Sequence, residues 1–292
     1  MSRINGTRLS RLASKALRHA IEELEPRQLL SVAQNPISGW TIVKRDNGVA
    51  GRNIYVDNTA LGSDSNSGLD AQHPVKTISH AESMITGGQA DWLLLRAGDQ
   101  WNESLGFWSK SGPGPVNGSS NPMVIGAYWL LGNGSVLDPS TTGQDSISGL
   151  AARPIIHSST SDGISFQGTA SHIVVESIQF MPDNTATPSL SYNGANSIGV
   201  TGLRAQLTAT DYLVENCLFQ GYKDDVVVGN PTTPVSHFTL RRCEVLDSYN
   251  HAGAHSQGFY ASGSTSFLTI QGNVFDHDGW KNAADKTVFN HD

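Results

Sequence analysis

Four stretches in the second half of the chain alternate apolar and polar residues and end on a large apolar side chain: 172–180, 212–219, 238–245 and 267–275. Alternation with a period of two marks a strand with one buried face. The terminal residues, Phe180, Phe219, Val245 and Phe275, lie 39, 26 and 30 positions apart. A second, shorter strand recurs around Ile164, Ile198, Val226, Phe259 and Val288, at spacings of 34, 28, 33 and 29. A loose period of roughly 30 residues with alternating apolar positions predicts a solenoid, one coil per repeat. Two residues before each terminal apolar position stand Ile178, Cys217, Cys243 and Asn273. Stacking at about 4.8 Å per rung sets Cys217 and Cys243 on adjacent coils, pointing the same way. That is a poor geometry for a disulfide, so both read as small buried core residues. Four or five coils are expected, and because Val288–Asp292 opens another repeat the chain reads as a piece of a longer protein.

The first half is patterned differently. Asn53–Asp57 reads as a strand, 58–74 as an Asn/Asp/Ser/Gly loop, and 75–86 as a helix with Ile78, Ala81 and Ile85 on one face. Asp91–Leu95 and Pro122–Tyr128 read as buried strands. A solenoid has an open apolar end that must be covered, and an amphipathic helix at 75–86 suits that task. The series Asp64, Asn66, Gly68, Asp70 is better read as an Asx-rich turn than as a calcium loop, since it lacks the terminal Glu and misplaces the Gly.

The strings Tyr55-Val56-Asp57, Gly62 to Gly68, Pro74 to Ile78 with Ala81, and Pro122 to Tyr128 together resemble the N-terminal region of right-handed parallel β-helix proteins of the pectate-lyase-like superfamily. The resemblance covers about residues 52–292 and departs from the family in an insert at about 131–150. It implies an all-β chain, a right-handed parallel β-helix with an N-terminal capping helix. Four regions are expected: a basic leader at 1–34, a linker at 35–51, the cap and first strands at 52–150, and β-helix turns at 151–292.

Charge adds a distinction between the leader and the rest. The 292 residues carry a net charge of −7, and only 15% are charged against the roughly 25% of an average soluble protein. Six basic and three acidic residues fall within 1–27, so the remainder is close to −10. An acidic body disfavours nucleic acid as a partner, and no apolar run reaches the roughly 18 residues of a membrane span. Leu24-Glu25-Pro26-Arg27-Gln28-Leu29-Leu30 resembles the LEPR-x-LL motif near the N-terminus of large bacterial secreted or surface proteins. That resemblance implies export to the cell surface or beyond.

Stacking turns repeats into clusters. The loops after Phe219, Val245 and Phe275 leave the solenoid at one corner and carry most of the polar and aromatic density. Lys223, His251, His255 and His277 are candidate general bases. Tyr249, Trp280 and Lys281 are candidate sugar contacts. Asp224, Asp225, Asp247, Asp276 and Asp278 are candidate oxygen ligands for calcium. Phe259 and Tyr260 read as wall residues, and of Arg241 and Arg242 at least one is expected to face solvent. The set suits a polysaccharide, expected to contain uronic acids, cleaved by pectate-lyase-like β-elimination. A glycoside hydrolase built on two of the carboxylates and a non-catalytic carbohydrate-binding or adhesion module are the alternatives. An enzyme requires these side chains to share one groove.

Overall fold

The computed structural model describes residues 33–34, 40–116, 119–140, 153–158, 161–182, 200–249, 255–263, 265–282, 285–286 and 290–291. The chain winds through three sheets in rotation. The first holds Asn53–Val56, Trp92–Arg96, Met123–Leu130, Ile173–Glu176, Ala209–Glu215, Val235–Arg241 and Ser266–Gln271 in parallel, with Val136–Leu137 antiparallel beside Met123–Leu130. The second and third have six parallel strands each, running from Gln100–Trp101 to Val274–Asp276 and from Gly106–Trp108 to Asn290–His291. This is the parallel β-helix the pattern predicts. Among the described residues it has six coils rather than four or five, because the first coil and the start of the second lie within the region where only a cap and first strands were expected.

Each sheet sends columns of side chains inward, one of which is followed here for each. In the first the column is Ile54, Leu93, Ile125, Val175, Val214, Leu240 and Ile270. In the second it is Trp101, Ile156, Phe180, Phe219, Val245 and Phe275. The expected terminal column is therefore in true register, and Phe180 and Phe219 stack with ring centroids 5.1 Å apart and planes 5° from parallel. Burial of each such side chain contributes about 1.5–3 kcal/mol. The third column is Ile164, Leu203, Val226 and Phe259. Leu203, not Ile198, stands between Ile164 and Val226; Ile198 and Val288 lie outside the described residues. Cys217 and Cys243 are free thiols, buried as expected. Their S–H groups point at the carbonyls of Glu215 and Arg241, 3.4 Å and 3.3 Å away.

The helix spans Ile78–Met84 and is capped by Thr77, whose Oγ1 accepts from the His80 N–H at 3.1 Å. Ile78, Ala81 and Ile85 are buried with Ile54, Val56, Val75 and Trp101, so the helix closes the core where the solenoid begins. Asp64 holds the preceding loop to the helix by accepting from the backbone N–H groups of Lys76 and Thr77. The Asx-turn reading of that loop fits these bonds.

The outer face of the first sheet is also apolar, with Tyr55, Trp92, Leu94, Val124, Val174 and Leu213. Residues 40–46, within the expected linker, run across it as a strap. Val43 is buried in that outer cluster. At one end Trp40 packs under the Arg242 guanidinium, 4.5 Å from the ring centroid. At the other, Arg45 lies over Trp92 at 4.9 Å and donates to the Ala90 carbonyl.

The corners share a backbone device. Ser177, Asn216, Arg242 and Gly272 form one stacked column with φ between 51° and 65°. Gly221, Asp247 and His277 form a second, and His172, Asp211, His237 and Phe267 a third, all with positive φ. A left-handed residue is what turns the strand sharply at each rung. Asn, Asp and His tolerate that conformation better than most side chains.

Candidate functional site

The strands of the third sheet open on Thr201 and Asp224, which are paired, and Gln257 pairs with Asp224 on the next rung. Asp162 stands one rung before Thr201, two residues ahead of Ile164. The outward column beside these residues is Phe107, Ser165, Arg204, Val227 and Tyr260. Phe107 is 77% exposed and Tyr260 41%, while Ser165 and Val227 between them are buried, so an aromatic face stands at each end of a column whose exposed polar member is Arg204. Tyr260 is thus a surface aromatic rather than the wall residue expected, whereas Phe259 packs on the core.

Arg204 Nε donates to Asp162 Oδ2 at 2.8 Å, and its Nη1 donates to Gln206 Oε1 at 2.9 Å. Lys223 Nζ donates to Asp224 Oδ2 at 3.1 Å. Burial raises the Asp224 carboxyl above its ordinary value, against the opposing pull of Lys223, Arg204 and His255. Lys223 is the cation hydrogen-bonded to this carboxyl, and Arg204 and His255 act on it as further charges that oppose the effect of burial. Of the expected site residues, Lys223, Asp224 and His255 come together here, joined by Arg204 and Asp162, which sequence reasoning missed.

Other expected members lie elsewhere. Asp225 and Asp278 are buried inside the corner between the second and third sheets, at 0% and 1% exposure, and so do not line a groove. Asp225 Oδ1 accepts from the Tyr222 N–H, and Asp278 Oδ1 from the Ser248 N–H. Tyr249, at 5% exposure, is a core residue rather than a sugar platform. Asp247 and His277 are left-handed corner residues. Asp247 accepts from Gln220 Nε2 at 2.8 Å, and Asp276 pairs with His277 at 3.1 Å on an exposed edge. His251 lies outside the described residues. Trp280 and Lys281 belong to the strand Trp280–Asn282, which pairs antiparallel with Asp285–Lys286; their side chains lie outside the described set.

Among the described residues no three His, Cys, Asp or Glu side chains converge as a metal site would require. The five aspartates instead divide among a lysine pair, two buried backbone-bonded positions, a glutamine contact and a histidine contact. Of the adjacent arginines, Arg241 is buried and Arg242 is part-exposed, as expected. No helix among the described residues is long and apolar enough to cross a membrane.

No family model and no curated protein matches the chain. Among solved structures it is similar to the lacto-N-biosidase GH136 of Eubacterium ramulus, at 13% identity and a TM-score of 0.45, covering 76% of this chain and 41% of that one. It is also similar to the pectate lyase Pel9A, at 17% identity and a TM-score of 0.37, covering 76% of this chain and 48% of that one. The chain thus spans less than half the length of either structure, and the fold stands on the pairing of its own three sheets.

Proposed function

We propose that the chain is an exported carbohydrate-active protein that binds an acidic polysaccharide along the outer face of the third sheet and cleaves it by β-elimination. The observation that supports this reading is the convergence of Arg204, Lys223 and His255 on the half-buried Asp224 carboxyl. Elimination from a uronate needs three things: a cation against the carboxylate, a base for the neighbouring carbon, and a proton for the leaving oxygen. Arg204 and Lys223 serve as the cations. His255 takes the proton from the carbon next to the carboxylate. The electron pair becomes a carbon–carbon double bond as the glycosidic bond breaks, and Asp224, in its protonated form, gives its proton to the departing oxygen. Phe107 and Tyr260 offer flat faces to the sugar rings on either side. The LEPR-x-LL motif supports export.

One observation favours a hydrolase as the second reading. Asp162 and Asp224 are two rungs apart on the same column, about 9.5 Å along the backbone. Inverting glycosidases hold their carboxyl groups roughly 6.5–9.5 Å apart.

The test is incubation of the folded protein with polygalacturonate and alginate, following the ultraviolet absorbance of the unsaturated uronide. Growth of absorbance that falls about 100-fold in His255→Gln supports elimination. New reducing ends without absorbance, lost in Asp162→Asn, move the chemistry to hydrolysis. Neither signal, from protein shown to be folded, overturns the enzyme reading and leaves a binding module.

A further inference from the structure

The corner between the third and first sheets carries a polar ladder of a different kind. His172, Asp211, His237 and Phe267 occupy successive rungs, one per coil, at φ values of 57°, 61°, 53° and 53°. The other two corner columns use Ser, Asn, Gly, Asp, His and Arg at this strained position. This one holds two histidines, an aspartate and a phenylalanine, of which only Phe267 is a side chain that resists the conformation. A bulky residue held left-handed costs free energy that side-chain function can justify.

The side chains are oriented. His172 Nδ1 lies 2.9 Å from Asp211 Oδ2, and His237 Nδ1 lies 3.9 Å from Asp211 Oδ1 and 3.3 Å from Thr210 Oγ1. The three side chains are 22%, 14% and 25% exposed. Phe267, 46% exposed, stacks on the His237 ring at 4.6 Å. The His172 ring lies close over Gly114, where an added Cβ would stand 2.9 Å from Nε2. Each ring is therefore held by its Nδ1 side. Once Nδ1–H is given to the carboxylate, a neutral ring leaves Nε2 as an acceptor, and a second proton turns it into a charged donor.

We infer that this corner is a second binding site, separate from the third-sheet face, which takes the anionic groups of a carboxylated or sulfated polysaccharide when both imidazoles are protonated. With neutral rings the ladder carries only the Asp211 charge and two Nε2 acceptors, and it repels anions. With both rings charged it carries a net positive charge, spread over two rungs about 9.5 Å apart along the backbone. Phe267 extends the ladder with an apolar face for a sugar ring. The charged groups facing the imidazoles are few. Asp211 lies between them, and Lys110, from the loop beneath His172, is turned away to the Glu82 carbonyl and the Trp108 ring. Binding that needs the imidazolium forms should strengthen as the pH falls.

The experiment is titration calorimetry of the full chain with polygalacturonate, dextran sulfate and uncharged dextran at pH 5.5 and pH 8. Wild type should bind one or both anionic polymers more tightly at pH 5.5, and dextran at neither pH. Binding of polygalacturonate alone assigns carboxylates, and binding of dextran sulfate alone assigns sulfates. His172→Gln with His237→Gln should lose about tenfold per ring at pH 5.5, with little change at pH 8. Asp211→Asn tolerates the same backbone conformation, and should instead tighten binding and carry it to higher pH. Arg204→Gln, on the third-sheet face, should leave the acid-dependent part intact, which separates this site from the proposed cleavage site. Equal binding by the double variant and wild type at pH 5.5 overturns the inference. So does a loss of binding in a folded Asp211→Asn.

Discussion

Arg241 Nε donates to Glu215 Oε1 at 2.7 Å, and the pair is enclosed: 9% of the arginine side chain and none of the glutamate is exposed. Arg242 Nη1 reaches the same oxygen at 2.9 Å, and the second oxygen accepts from the Thr41 N–H at 3.3 Å. Arg241 also donates to Thr41 Oγ1. Two hundred residues of sequence separate Thr41 from Arg241, so this cluster fastens the strap to the fourth and fifth coils.

Breaking one side of a buried ion pair is far more costly than replacing both. Glu215→Gln leaves two guanidinium groups against a neutral amide. It should lower stability by about 3–5 kcal/mol in urea denaturation. Glu215→Leu combined with Arg241→Met should recover most of that loss. In Glu215→Gln the segment 40–46 should become the first site of protease cleavage. Equal resistance there would mean that Val43 and Trp40 hold the strap without the cluster.

A second prediction concerns the corner that holds Asp225. Gly163, Gly202, Asp225 and Gly258 stack one residue before the inward column of the third sheet. A Cβ on Gly202 would lie 2.5 Å from the Asp225 carbonyl oxygen and 3.0 Å from both Phe219 and Tyr222. The first neighbour is backbone and cannot swing aside. Gly202→Ala should therefore cost about 1–3 kcal/mol, while Gly168→Ala meets no crowding and pays only for its positive φ. Paired thermal melts would show it, and equal shifts would contradict the crowding argument.

These glycines also explain what was legible in the sequence. The large residues Phe180, Phe219, Val245 and Phe275 signal their register directly, because a large apolar residue recurs at the same point of each coil at the end of an alternating strand. Helix 78–84 was legible for the same reason, from Ile78, Ala81 and Ile85. The third sheet was misaligned by five residues, at Ile198 in place of Leu203. A loop between coils can lengthen without disturbing the stack, so its length carries no register. That shift hid Arg204, the residue after Leu203. Asp225, Asp278 and Tyr249 were taken for groove residues because polar side chains at a corner normally face water. The recurrent glycine before each inward residue was the available signal. An added Cβ on Gly258 would stand 2.0 Å from Asp278 Oδ2, so glycine there makes room for a carboxyl inside. The strap was unreadable because its partners lie as far as 200 residues away.

The thiols give a third prediction. Burial pushes the Cys243 thiol well above its ordinary value, and Cys217 is equally enclosed. Since the thiolate is the reactive form, neither should react with a disulfide reagent in the native protein at pH 8. Both should titrate once the chain is unfolded in guanidinium. Prompt native reaction would show that the adjoining coils open locally. Cys217→Ala and Cys243→Ala should each cost stability, since they remove core volume and leave the Glu215 and Arg241 carbonyls without their S–H contacts.

Asp225 supplies a prediction whose sign is set by its surroundings. Complete burial, then the charge of Asp278, raise its carboxyl well above the ordinary value near 3.9. The folded protein therefore keeps a proton that the unfolded chain gives up. The stability tied to that proton is fully present below the unfolded value and is lost as pH rises through the folded one. Each pH unit in that window costs about 1.4 kcal/mol. Asp225→Asn removes the titration while its side-chain oxygen can still accept from the Tyr222 N–H, which lies 3.2 Å from Oδ1 in the native protein. The variant should gain on wild type as pH rises above the unfolded carboxyl's value, until the folded carboxyl itself ionises, and be the more stable protein beyond that point. Paired carboxylates such as Asp57 with Arg96 and Asp162 with Arg204 act in both proteins, so the difference between the two urea curves isolates position 225. A constant difference across pH 4–8 would mean that the Asp225 carboxyl does not change its proton occupancy on folding, and that the corner accommodates two charges.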